Sequence, residues 1–213
     1  MSAGFTSIES AANGLRSGRP VLSLDGAGVG AVVLAAENVT VKWVAWAVKY
    51  SSGLLIAAMP AERADHLDLP PMVPQNNPVS GHRFTVAVDA RRGVTTGIRS
   101  EDRAHTFRTL SDPMTTPDEL TRPGHVVPLC TSRRGVLGRA ANPECAVDLC
   151  AAAGMSRVAA VATLVSDAGD LLDEAGVVDL AAAYGLHIVR LEDMVQYRER
   201  SAIIARTRCV VNS

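Results

Sequence analysis

Only eight aromatic side chains (three Phe, three Tyr and two Trp) serve this chain of 213 residues. Its core must therefore be filled by Val, Ala and Leu. Apolar residues still make up 47% of the chain and charged residues 20%, an ordinary globular balance with enough material for one substantial core. Small and β-branched side chains close-pack well in strands covered on both faces. The constraint thus points to a sheet with helices around it.

The pattern along the chain fits. Ile8, Ala11, Ala12 and Leu15 mark one face of a first helix, ended at Ser17-Gly18. Pro20–Leu24 and Ala31–Leu34 read as antiparallel strands joined by glycines. Thr40 caps a helix over 41–50, with Val41, Val44, Ala45 and Val48 facing inward. Leu54–Met59 is a buried strand, and Pro60 opens a short helix. Residues 69–81, rich in Pro and Asn, form a long loop. Phe84–Val88 alternates as a strand, and Ser100 starts a helix to about Leu110.

Farther on, Arg122-Pro123-Gly124-His125 reads as a turn into a strand over 126–129. Asn142, as cap, begins a helix to about Gly154, with Pro143 in its first turn and Glu144 favourable to the dipole. A strand over 158–165, a turn at 166–169, a helix over 177–184, a strand over 187–190 and a helix from Leu191 complete the chain. With no linker or repeat, residues 1–213 read as a single α+β domain with a mixed sheet.

The net charge of −1 argues against nucleic acid as a partner, since phosphate neutralisation needs a basic surface. The longest apolar run, Gly26–Ala36, is too short to cross a bilayer, and residues 1–5 lack the pattern of a signal peptide. A cytoplasmic protein is expected. Gly26-Ala27-Gly28-Val29-Gly30 follows a strand but has the wrong spacing for a dinucleotide fingerprint, so it reads as a tight turn. His66, His82, His105 and His187 stand isolated, and Glu37, Glu62, Asp65 and Asp68 read as surface. Cys130, Cys145, Cys150 and Cys209 lack zinc spacing. Cys145 falls in a first helical turn, where a lowered thiol pKa is expected.

Several stretches carry a resemblance. Leu67-Asp68-Leu69-Pro70-Pro71-Met72-Val73, Phe84-Thr85-Val86, Gly93-Val94-Thr95-Thr96-Gly97-Ile98 and Asp102-Arg103 stand in order with Arg122–Leu129 and Gly135-Val136-Leu137-Gly138-Arg139. By these the chain resembles the 3,4-dihydroxy-2-butanone 4-phosphate synthases over nearly its whole length. The resemblance implies an α+β fold and a homodimer with sites at the subunit interface. It also implies a lyase that excises one carbon of ribulose 5-phosphate as formate. That chemistry passes through enolisation, with a base and a divalent cation to stabilise the enediolate.

In the family, metal-binding groups come from an acidic loop after the first strand, a Gly-His-Thr-Glu motif and a later glutamate. The matching positions here are Asp25–Ala31, with a carboxylate only at Asp25, then Asn142, Pro143 and Thr163. No metal and no cofactor are therefore expected. The resemblance makes His125 the catalytic residue, contributed by the partner subunit, and Arg139 the grip on the substrate phosphate. Thr96, Asp102 and Glu144 also match and join the substrate-binding set. The expectation drawn is a diverged homologue performing metal-independent chemistry on a small anionic metabolite other than ribulose 5-phosphate. A non-catalytic binding or scaffold protein and the authentic synthase are the alternatives.

Overall fold

Among the described residues eight strands carry the architecture: β1 (Val21–Leu24), β2 (Gly30–Ala35), β3 (Ile56–Pro60), β4 (Arg83–Phe84), β5 (Val88–Ala90), β6 (Leu120–Thr131), β7 (Ala159–Thr163) and β8 (His187–Arg190). The structure is a computed structural model and describes residues 5–75 and 81–211, with side chains through residue 203. The strands form one mixed sheet in the order β4-β6-β3-β7-β2-β1-β8, and β5 also pairs with β6. β1 with β8 and β3 with β6 are parallel; the other pairs are antiparallel. The α+β expectation holds.

Alternation along the central strands builds two cores. Leu22, Leu24, Val32, Leu34 and Met59 pack on one face, with Val44, Phe107 and Val177 from α2 (Val41–Tyr50), α4 (Ser100–Ser111) and α6 (Glu174–Tyr184). Val21, Val33, Ala58 and Val161 pack on the other. They meet Leu15, Leu149 and Met194 of α1 (Ile8–Arg16), α5 (Asn142–Ala152) and α7 (Leu191–Val211). A period-two side-chain pattern on strands covered from both sides makes this inevitable. Truncating a fully buried leucine such as Leu22 or Leu149 to alanine would cost about 2–5 kcal/mol. Among the described residues no helix is long and apolar enough to cross a membrane.

Several boundaries differ from expectation. In α2 the buried side chains are Val44, Trp46 and Ala47, whereas Val41, Ala45 and Val48 are exposed. Trp46 is the large side chain that turns the helix, meeting Tyr50 at a tilt and Tyr184 edge-on. The strand expected over 84–88 is split into β4 and β5, because Thr85–Ala87 bond outside the regular ladder. Arg122–His125 is not a turn but lies within the twelve-residue β6, with a cis Arg122–Pro123 bond. Gly124 is needed there because a Cβ would collide with the β5 backbone at Val88 and Asp89. Of the loop over 69–81, residues 76–80 lie outside the described residues.

α5 is the helix that places the site. Pro143 through Cys150 are all buried, so its two carboxylates must find partners inside the protein. Asp148 accepts from the Val136 N–H (2.9 Å) and from the Arg198 guanidinium. Glu144 is bonded to Arg139.

Candidate functional site

A cavity of about 270 Å³ opens beside the N-terminus of α5, lined by Asp25, His82, Asn142 and Thr163 among apolar neighbours. The turn between β1 and β2 supplies one wall. Asp25 Oδ1 accepts from the N–H of Ala27 (3.0 Å) and of Val29 (2.9 Å), which folds the glycine segment into a turn and rules out a helix start there. Val29, Ala31, Ile56, Val161 and Ala162 make the rest of that wall hydrocarbon. A larger trough of about 820 Å³ beside α4, near Arg91 and His105, holds none of the expected catalytic or substrate-binding residues.

Asn142 was expected to cap α5. The cap is Ala141 instead, with no side-chain hydrogen bond. The Asn142 side chain turns towards the sheet, where its Oδ1 accepts from Ser23 Oγ (2.8 Å) and its Nδ2 donates to the Val29 carbonyl (3.3 Å). Both polar ends are thus used within the protein. Ser23 is the lone polar side chain among the buried residues of β1, and this bond is its partner.

Arg139 and Glu144 come together next to the cavity. Glu144 is fully buried, and its Oε1 accepts from Arg139 Nε at 2.8 Å, from Arg139 Nη2 and from the Ser132 N–H at 2.9 Å. Arg139 also donates to the carbonyls of Gly81 (2.5 Å) and Cys130 (3.5 Å). The side chain expected to grip the substrate phosphate is thus largely engaged within the protein. Four contacts engage Arg139, and of its five N–H donors one remains for a ligand. Glu144 stands in the first turn of α5, as expected, with its side chain committed to the guanidinium.

Thr96, Asp102 and His125 assemble elsewhere, around Gly97. Asp102, at the start of α4, accepts from the N–H of Thr95 (3.1 Å), Thr95 Oγ1 (2.8 Å) and the N–H of Gly97 (3.1 Å). Burial works to raise its pKa, but these hydrogen bonds and Arg99 outweigh it and hold the carboxyl below the usual range. Gly97 adopts φ +79°, and any Cβ there would strike Asp89 and His125. Thr96 is exposed, its Oγ1 accepting from the Ile98 N–H at 3.4 Å. His125 is held twice by Asp89: its backbone N–H donates to Oδ1 (3.0 Å), and its Nδ1 lies 2.7 Å from Oδ2. A carboxylate can only accept, so Nδ1 carries the proton and Nε2 is the nitrogen left for chemistry. The His125 side chain is 40% exposed.

Two of these participants escaped the sequence reading. Asp89 is a carboxylate inside an otherwise apolar strand, and that misfit was the available signal. His82 was set aside as isolated; its spacing of two from Phe84, another lining residue, was the clue. One expectation fails outright. The Cys145 thiol is fully buried and burial pushes its pKa up, as it does for Cys150. The Cys209 side chain lies outside the described residues.

Among the described residues no three His, Cys, Asp or Glu side chains gather as a metal site. The cavity offers one carboxylate, already holding two N–H groups, and one amide whose oxygen is engaged. A divalent hard cation wants several free oxygen ligands in fixed geometry, and this donor set does not fit one.

Comparison with known proteins bears on the rest. Residues 9–197 match the family profile of 3,4-dihydroxy-2-butanone 4-phosphate synthase. The riboflavin biosynthesis protein RibBA of Salinispora arenicola is 42% identical over 200 residues, covering 92% of this chain and 48% of that protein. The 3,4-dihydroxy-2-butanone 4-phosphate synthase of Vibrio cholerae is 36% identical over 91% of this chain and 90% of its own length. A crystal structure of a 3,4-dihydroxy-2-butanone 4-phosphate synthase with two magnesium ions superposes with a TM-score of 0.89 at 34% identity, covering 93% and 99% of the two chains. The chain spans about half the length of the RibBA relatives. These identities overturn the expectation of a diverged enzyme with another substrate, because relatives at 36–42% identity over nine-tenths of the chain bear the synthase or riboflavin biosynthesis name. On the profile match and the identity with its relatives, this chain belongs to the 3,4-dihydroxy-2-butanone 4-phosphate synthase family.

Proposed function

We propose that this protein is a 3,4-dihydroxy-2-butanone 4-phosphate synthase acting on ribulose 5-phosphate. The observation that carries the reading is the 36% identity with the Vibrio cholerae synthase along 90% of that enzyme. The remaining N–H of Arg139 faces the substrate phosphate, helped by the positive end of α5. His125, oriented by Asp89, offers Nε2 for proton transfer. Because His125 lies outside the cavity lining, a second copy of the chain brings its His125 to the first copy's cavity, and the working unit is a homodimer. Sedimentation should then show a species of twice the chain mass at micromolar concentration; a monomer would count against a shared site.

The test of the activity is formate release from ribulose 5-phosphate by the purified protein, at about 1 per second or faster. One observation favours a second reading, in which the chain binds the substrate without turning it over: the cavity lining holds a single carboxylate. Saturable substrate binding without formate release would select it.

A further inference from the structure

We propose that Arg198 of α7 is a positioning residue for the phosphate grip: it holds the buried Asp148 carboxylate, which in turn fixes the turn that carries Arg139. The inference rests on the reading of Arg139 given above and deepens it. Arg139 stands on no long element; it follows the short 3-10 turn Gly135–Leu137. The Gly135 N–H donates to the Ser132 carbonyl (2.9 Å), and the Gly135 carbonyl accepts from the N–H groups of Gly138 (2.9 Å) and Arg139 (3.1 Å). The backbone of Arg139 therefore goes where Gly135 goes.

α5 grips this segment with two carboxylates four residues apart, hence on one face of the helix. Glu144 accepts from the Ser132 N–H at the start of the segment and from the Arg139 guanidinium at its end. Between them Asp148 Oδ2 accepts from the Val136 N–H at 2.9 Å. Gly135 rests directly on that carboxylate: its φ is +59°, and a Cβ there would strike both Asp148 oxygens.

Asp148 is itself 1% exposed, so its charge needs a partner inside the protein. The two oxygens divide the work. Oδ2 serves the turn, and Oδ1 accepts from Arg198 Nη1, while Arg157 Nη2 lies farther off at 4.0 Å. Burial raises the carboxyl's pKa above its ordinary value, against the Val136 N–H, Arg198 and Arg157, which pull it down. Removing Arg198 moves that balance towards the neutral acid, a weaker acceptor for the Val136 N–H, and leaves Oδ1 free to rotate. The turn then loosens at Gly135 and Arg139 shifts with it. The phosphate end of a substrate is remote from its reacting carbons, so the loss falls on binding more than on turnover.

The experiment compares the parent with Arg198→Met and Arg198→Lys, all as the full chain. Inorganic phosphate affinity is read by calorimetry, and formate release from ribulose 5-phosphate gives KM and kcat. Met keeps a hydrocarbon stem against the turn but no charge. In Arg198→Met the phosphate Kd and the KM should rise about tenfold or more, while kcat changes less than about threefold. Arg198→Lys, which keeps the charge, should recover most of the affinity. Where Arg198→Met does not fold, Arg198→Gln takes its place, with a loss expected between those of Met and Lys. A lowered Tm with the parent's phosphate Kd and KM would show a scaffold role and overturn the proposal, leaving the lyase reading intact. Equal losses of affinity in Met and Lys would overturn it too, because packing rather than charge would then set the turn. Weakened phosphate binding in Met, rescued in Lys, with no formate from any of the proteins upholds the positioning and sinks the lyase reading. A parent that binds no phosphate leaves no grip to position, and the proposal falls.

Discussion

Two of the buried carboxylates around the candidate site, Glu144 and Asp102, are held by opposite means. Glu144 is paired with a guanidinium and a single backbone N–H, and its Oε2 is buried with no hydrogen-bond partner among the described residues. Asp102 lies in a nest of two backbone N–H groups and a hydroxyl. The first is a charge neutralised by a charge, which fails if either partner goes. The second is a charge solvated by the fold, which asks only that the Thr95–Gly97 loop keep its shape. The Arg139 end of the site is therefore brittle and specific, while the His125 end is built on backbone geometry and resists change at side chains.

The largest effect that would sharpen this contrast is expected at Glu144. Glu144→Ala leaves Arg139, only 22% exposed, without its counter-charge and should cost about 3–5 kcal/mol in urea unfolding. Glu144→Gln keeps the acceptor and sets an amide where Oε2 has no partner, so its cost should be near 1–3 kcal/mol. Equal losses in the two variants would show that packing, not charge pairing, holds this end together.

Asp102 should reveal itself through pH. Its folded pKa is depressed, so its contribution to stability is fully present above the unfolded carboxylate value of about 3.9 and fades as pH falls through the lower folded value. Asp102→Asn removes that term. The variant's stability should fall less steeply than the parent's below about pH 4, and the two curves should run parallel from pH 6 to 8. A difference in slope at neutral pH would mean that another group titrates in this cluster.

Much of the fold was legible because it follows from local periodicity. The β1–β2 hairpin, α1, the extent of α2 and the β8–α7 end were all carried by alternating or 3.6-period apolar positions. The inward face of α2 was misread because Val41 and Val48 are apolar yet exposed, while Trp46 is recruited by Tyr184, far away in sequence. The site was legible only where a motif carried it. Arg139, Glu144, Asp102, Thr96 and His125 were singled out that way, but their partners were not. No local pattern predicts that Asn142 bonds Ser23 across 119 positions, or that Asp89 holds His125 across 36.

Ser23 is where a smaller effect should appear. Ser23→Ala removes the donor to Asn142 Oδ1 within a buried layer and should cost about 1 kcal/mol. Formate release, if Asn142 acts only as structure, should change less than two-fold or so, since its Nδ2 bond to Val29 keeps the side chain in place. A much larger kinetic loss would move Asn142 from scaffold to substrate contact.

The smallest expected effect is none, and it bears on the cavity's hydrocarbon wall. A magnesium ion bound at 100 times its dissociation constant would stabilise the folded chain by about 2.7 kcal/mol. For a chain of this length that is a rise in Tm of roughly 5–10 °C, easily measured. The cavity offers the Asp25 carboxylate, whose Oδ1 is already shared by two N–H donors, the engaged carbonyl of Asn142, and the neutral oxygens of Ser52 and Thr163. Magnesium gives up its water reluctantly and asks for near-octahedral oxygen ligands, so this set should leave it hydrated in bulk. Tm in millimolar magnesium should match that in chelator once ionic strength is equalised with sodium chloride. A rise of several degrees that disappears in Asp25→Asn would show that Asp25 can be recruited from its turn. It would also break the contrast drawn above, because a fold-solvated carboxylate would then be doing the work of a charge-paired one.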